Sequence, residues 1–276
     1  MNNYRIMKKI SLFFVFALMF VMTSCDKLDE PFKKEVNIEA TGRVVLLEDY
    51  TGVRCVNCPA AAEIAHELQE TFGESLVVMG VHAGFLSMPL TGYPDFRTEA
   101  GKEWYEDYFG FQSNPIGTIN RVKGDAGYGF NDGEWATKVA EELAKEQVAE
   151  LDIVCNYNEQ TRNLNVEVNT VFLQSQSGKY FVTACLVEDS IVGRQLCPEP
   201  VGVDSNYVHR HVFRGAINGT WGTEIFDGAV PANEEISTTC SITVDTTYNA
   251  DNCYVVAFVY DDANKNILQA FQKKIK

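Results

Sequence analysis

Two cysteines separated by two residues, Cys55 and Cys58, stand just before a helical pattern that starts after Pro59. A Cys-x-x-Cys pair at a helix N-terminus suits thiol–disulfide exchange. The field of the helix end favours thiolate, which lowers the pKa of the first thiol. The second thiol, held nearby, resolves the mixed disulfide that the first one forms. On this chemistry Cys55 attacks and Cys58 resolves. A proton must move as well, and two acids lie upstream, Glu48 and Asp49, on opposite faces of a strand. Asp49, six residues before Cys55, would relay the proton of the resolving thiol provided that burial raises its pKa. Glu48 is the competitor, and the bland alternative for Asp49 is a strand-end acid facing water.

These groups need elements to hold them. Val44 to Tyr50 is an apolar, strand-like run, broken at Thr51-Gly52. After the cysteines, Ala61, Ile64, Ala65, Leu68 and Phe72 recur at helical spacing, and Gly73 closes the helix. Ser75 to His82 reads as a strand buried on both faces. Phe96, Ala100, Trp104 and Tyr108 mark a second helix, and Ile116 to Val122 a strand entered through Asn114-Pro115. Asn131-x-x-Glu134 forms a capping box for a third helix that carries Trp135, Val139 and Leu143 inward. Alternating strands and helices imply an α/β layer structure with crossover connections.

The pattern changes near Val148. Leu151 to Tyr157, Leu164 to Val168, Val182 to Leu186, Ile236 to Val244, Val255 to Tyr260 and Ile267 to Ile275 carry strand-like signals, most of them alternating with period two. Strands without helices suggest an immunoglobulin-like β-sandwich. The expected organisation is a signal peptide over 1–24, a tether over 25–40, an α/β domain over 41–148 and an all-β sandwich over 149–276.

Formal charge is −15 over 276 residues, and the first 24 residues hold Arg5, Lys8 and Lys9 but no acid, so the rest is more acidic still. An acid-rich chain with no basic cluster repels nucleic acid, which excludes that class of partner. The positive start, the apolar run Ile10 to Met22 and Val21-Met22-Thr23-Ser24-Cys25 read as an export signal ending in a lipoprotein cleavage site. Cys25 then becomes the lipidated first residue and the link to the membrane; an ordinary secretory signal with an incidental Cys is the alternative. Asp26 to Ala40 is polar and suits a tether. Export places Cys55 and Cys58 where disulfides persist. Cys155, Cys185, Cys197, Cys240 and Cys253 remain, an odd set that cannot pair completely within one chain.

Pro115 is similar in position to the cis-proline that thioredoxin-like folds place against a CxxC, where a cis bond would turn Asn114 outward to pair with a bound peptide as a short extra strand; a trans proline that merely starts a strand is the alternative. His66 falls on a polar helix face, whereas His82 ends a buried strand near the cysteines. His209 and His211 stand i, i+2 as if on one strand face, yet with no third ligand they read as structural. No metal and no cofactor is implied.

The strand–CxxC–helix unit, the upstream acid, the later X–Pro and the element order resemble thioredoxin-like architecture. In that architecture Trp usually precedes the first cysteine, where this chain has Arg54, whose guanidinium could lower the thiol pKa further. Leu47-Glu48-Asp49-Tyr50-Thr51-Gly52, the CxxC-Pro, Asn114-Pro115, Val208 to Gly215, Asn218-Gly219-Thr220-Trp221-Gly222 and Val256 to Tyr260 resemble a narrower group. They are similar to the outer-membrane-protein-twenty-eight related lipoproteins of Bacteroidetes, from about Gly42 to the C-terminus. The resemblance implies an α/β thioredoxin-like domain followed by an all-β immunoglobulin-like sandwich, anchored to the outer membrane on its periplasmic face or at the cell surface. It implies either a redox protein or a surface adhesin or receptor. If the chain is an enzyme, it is a thiol–disulfide oxidoreductase acting on exported protein thiols or disulfides. The alternative is a binding lipoprotein, engaging an envelope partner, whose CxxC is a structural disulfide.

Overall fold

The computed structural model describes residues 42–276. Cys25, the signal peptide and the tether lie outside the described residues. Strand β1 (Val45–Thr51) leads into helix α1 (Cys58–Phe72), strand β2 (Leu76–His82), a short helix α2 (Glu99–Lys102) that continues as a π-turn, strand β3 (Ile116–Ile119) and helix α3 (Asp132–Leu143). Pro59 stands in the first turn of α1, where a missing N–H costs nothing. Helix α3 is capped as its sequence predicts, with the Asn131 amide donating to the Glu134 carboxylate at 3.0 Å.

Ten strands follow. They are β4 (Ala149–Tyr157), β5 (Asn163–Phe172), β6 (Gln176–Glu188), β7 (Ile191–Leu196), β8 (Val203–His209), β9 (Val212–Ala216), β10 (Thr223–Val230), β11 (Glu234–Thr243), β12 (Cys253–Asp261) and β13 (Ile267–Lys274).

Pairing across these elements overturns the expected fold class. Rather than an α/β thioredoxin-like domain followed by a separate immunoglobulin-like sandwich, the described residues are mostly β, with strands distributed over three sheets. The largest, of eight strands, runs β13-β12-β6-β9-β2-β1-β3, with β10 also on β6. It therefore draws strands from both sides of residue 148. The join is made where β9 lies parallel to β2, through the Gly80 amide donating to the His211 carbonyl at 2.8 Å. Local periodicity announces a strand but not which edge will accept it, and the β2 edge accepts a strand from far along the chain. The other sheets are β11-β5-β4 and the β7–β8 hairpin.

Three apolar clusters hold these layers. Val45, Leu47, Leu76 and Val78 pack against Ala61 and Ala65 of α1 and Trp135 and Val139 of α3. The alternate residues Leu46, Tyr50, Val77 and Met79 face the other way, onto Trp104, Phe213, Val256 and Phe258. The β11-β5-β4 sheet closes over β6 and β12 through Ile153, Val166, Val168, Leu186 and Val255. Each such side chain fully buried contributes about 1.5–3 kcal/mol. No helix among the described residues is long and apolar enough to cross a membrane.

Candidate functional site

Cys55 and Cys58 are joined by a disulfide. Cys58 begins α1, and Cys55 sits in the turn before it, its amide donating to the Gly52 carbonyl at 3.0 Å. Gly52 is packed so closely that a Cβ there would lie 2.5 Å from the Leu86 carbonyl carbon and oxygen. The pair thus occupies the helix N-terminus as its sequence suggests. Both residues are nevertheless 2% exposed.

What covers them is the β7–β8 hairpin. The Leu196 amide donates to the Val53 carbonyl at 2.9 Å. The Gln195 amide nitrogen donates to the carbonyls of Cys55 at 3.0 Å and Gly52 at 3.3 Å. Sequence reasoning passed over both this hairpin and Gln195. The run Ile191-Val192-Gly193-Arg194-Gln195-Leu196 shows no apolar alternation, and Gly193 and Arg194 interrupt it, so period two does not announce the strand.

The two acid candidates separate cleanly. Glu48 is fully buried and accepts from Thr118 at 2.6 Å and from Arg121 at 2.6 and 2.9 Å. The Arg121 guanidinium is itself sandwiched between the Trp104 and Phe258 rings, at 4.6 and 4.9 Å. Asp49 points the other way, into a small cavity that it shares with Cys58 and Pro59. Its Oδ1 is buried without a hydrogen-bond partner. Desolvation, reinforced by the charge of Asp132, pushes its pKa up to about 7.

The Asn114–Pro115 bond is cis. The Asn114 side chain donates to the Thr51 carbonyl at 3.1 Å and the Ala83 carbonyl at 3.3 Å, tying this loop to the ends of β1 and β2. A cleft of about 600 Å³ past the end of β2 is lined by His82, Phe85, Met88, Arg97 and Lys102 among others. Val56, Phe85, Met88 and Leu90 are exposed apolar residues around the motif. The Arg54 guanidinium lies over the Phe85 ring at 4.7 Å and bonds the Met88 carbonyl, so it is engaged by this loop.

The histidines divide differently from their spacing. His82 and His209 both line the cavity with Asp49, whereas His211 leaves the strand in a left-handed conformation, φ 53°, and bonds the Tyr254 hydroxyl at 2.6 Å. They do not share one strand face. His66 stands near Glu70 on α1, as a helix-surface residue would. Cys155, Cys185, Cys197, Cys240 and Cys253 are unpaired, and no cluster of metal-ligating side chains occurs among the described residues.

Comparison with known proteins shows the fold and the family. HBP35 of Porphyromonas gingivalis superposes with a TM-score of 0.64 at 16% identity, over 84% of this chain and 75% of that one. A domain of the outer membrane lipoprotein Omp28 from Porphyromonas gingivalis is 24% identical over 47% of this chain and 88% of its own, with a TM-score of 0.31. No curated protein matches. The family described as "Outer membrane protein Omp28" matches residues 102–276, a segment that includes Asn114 and Pro115 and begins after the cysteine pair. With well over half its length matched, the chain belongs to the Omp28 family of outer-membrane proteins.

Proposed function

We propose that this protein is a lipid-anchored component of the cell envelope whose Cys55–Cys58 pair exchanges disulfides with exported proteins. Family membership supports the envelope location, and the signal-like start ending at Cys25 supports anchoring there. One observation carries the exchange reading: a disulfide at a helix N-terminus shares a buried cavity with a carboxyl group whose pKa lies near 7. Such a group can hold or release a proton at envelope pH. A client thiolate attacks Cys55 Sγ and Cys58 leaves, taking its proton from Asp49. The cis Asn114–Pro115 loop and the apolar rim of Val56, Phe85 and Met88 suit contact with an extended client segment.

A second reading, a binding lipoprotein stapled by a structural disulfide, is favoured by the near-complete burial of both cysteines. Cys58→Ser expressed in cells separates the two. Exchange leaves Cys55 linked to client proteins on non-reducing gels, and purified wild type accelerates the reduction of insulin by dithiothreitol. A staple gives neither product and stays oxidised against glutathione.

A further inference from the structure

The cavity beneath the disulfide holds more proton-handling groups than one acid requires. It measures about 30 Å³ and is lined by Asp49, Cys58, His82, Tyr207 and His209 together with Gln195. Three atoms of these side chains are buried without a hydrogen bond in the protein: Asp49 Oδ1, His82 Nδ1 and His209 Nε2. Leaving such an atom unsatisfied in the interior is unfavourable unless something else bonds it. A polar void this size accommodates a water, which needs roughly 10–15 Å³ and two to four polar partners.

The two imidazoles are fixed by packing. Their rings stand 5.8 Å apart, and each lies 4.9 Å from the Phe96 ring, edge to face. His209 lines the cavity, and its Nε2 is buried without a hydrogen-bond partner in the protein. Burial holds both rings neutral. His209 is pushed down to about 4 by desolvation, with Arg214 adding to the effect and Asp204 opposing it. His82 is lowered by desolvation, His209 and Arg214, against Asp95. A neutral imidazole accepts and passes a proton without placing a lasting charge in the interior.

We propose that this cavity is a proton-transfer chamber, in which a water links Asp49 to His82 and His209, and His209 passes the proton between Asp49 and solvent. The inference rests on the exchange reading above. When the client thiolate bonds to Cys55 Sγ, the Cys55–Cys58 bond breaks and its electron pair stays on Cys58 Sγ. Asp49 protonates that sulfur, and the chamber returns a proton to Asp49 from solvent. The client's second thiolate then attacks the mixed disulfide and frees Cys55. The client dithiol is oxidised by two electrons and the protein disulfide reduced by two. Run backwards, Asp49 takes the Cys58 proton and the chamber carries it out.

Ellman's reagent reads the two steps of the reverse direction separately, once the release from the five other unpaired cysteines, measured in a Cys55→Ser, Cys58→Ser variant, is subtracted. Reduced protein attacks it through Cys55, releasing one thionitrobenzoate, and Cys58 then resolves the mixed disulfide, releasing a second. His209→Phe leaves the first release unchanged, in wild type and in Cys58→Ser, and slows the second at least about tenfold. His209→Gln, which keeps a polar side chain in case the Phe variant misfolds, slows the second release in the same way. The Asp49→Asn, His209→Phe pair is no slower than Asp49→Asn alone, because both residues serve one proton. A second release within twofold of wild type in both His209 variants, or slowing that adds fully to Asp49→Asn, overturns the chamber while leaving exchange intact. A wild type with no second release overturns the exchange reading and the chamber with it.

Discussion

The Gln195 side-chain amide donates to the Cys55 carbonyl at 3.0 Å, across 140 residues of sequence. The same nitrogen also reaches Gly52, so one buried amide spans the turn that presents the cysteines to α1. The hairpin that carries Gln195 thereby sets how open the disulfide is.

Gln195→Ala therefore loosens the turn and uncovers the pair. Losing buried hydrogen bonds of this kind costs about 1–3 kcal/mol. The expected outcome is a lower denaturant midpoint together with faster alkylation of Cys55 after reduction. Unchanged alkylation would show that the hairpin does not govern access.

Asp49→Asn has a pH signature. The Asp49 pKa rises from 3.8 unfolded to about 7 folded, so its neutral form favours the native state. That contribution is fully present below pH 4 and is lost as pH rises toward 7. Relative to wild type, Asp49→Asn gains stability over this interval, by up to about 4 kcal/mol above pH 7, and gains none near pH 4. Urea titrations at pH 4 and pH 8 check the sign.

His209→Gln shows the opposite slope. The His209 pKa falls from 6.5 to about 4, so its contribution is present above pH 6.5 and lost as pH falls toward 4. Melting curves across pH 4–7 show the variant gaining on wild type as the medium becomes more acidic. Parallel curves would mean that His209 is solvated or charged in the native state.

Glu48→Gln tests the other acid. It leaves the Arg121 guanidinium buried with a neutral partner, and breaking a buried pair typically costs about 3–5 kcal/mol. The expected variant is markedly less stable yet keeps the second thionitrobenzoate release of wild type, measured where it remains folded. A selective loss of that step would make Glu48 the proton carrier instead of Asp49.

Gly52→Ala places a Cβ 2.5 Å from the Leu86 backbone. Overpacking of this order costs about 1–3 kcal/mol. Thermal unfolding reads the loss, and a neutral effect would mean that the Leu86 loop yields easily.

Much of the site could be read in the chain itself, because its parts are local. A cysteine pair before a helix, Pro59 in the first turn, the Asn131–Glu134 cap and the opposed faces of Glu48 and Asp49 follow from short-range spacing and strand alternation. Which acid belongs to the thiols did not follow. Alternation says only that Glu48 and Asp49 face apart; Arg121 and Thr118, some 70 residues away, decide that Glu48 is already paired.

The same division holds for the fold. Sequence alone determined the strands and helices around the cysteines, the change to period two after Val148 and the acidic balance. Tertiary structure decided that β9 closes on β2, that one sheet spans both halves, and that the β7–β8 hairpin brings Gln195 and His209 to the disulfide. The physical reason is edge pairing. A strand's own residues specify its faces through side-chain alternation, whereas the backbone groups along its edges are alike in every strand. Only packing across the whole chain selects the partner.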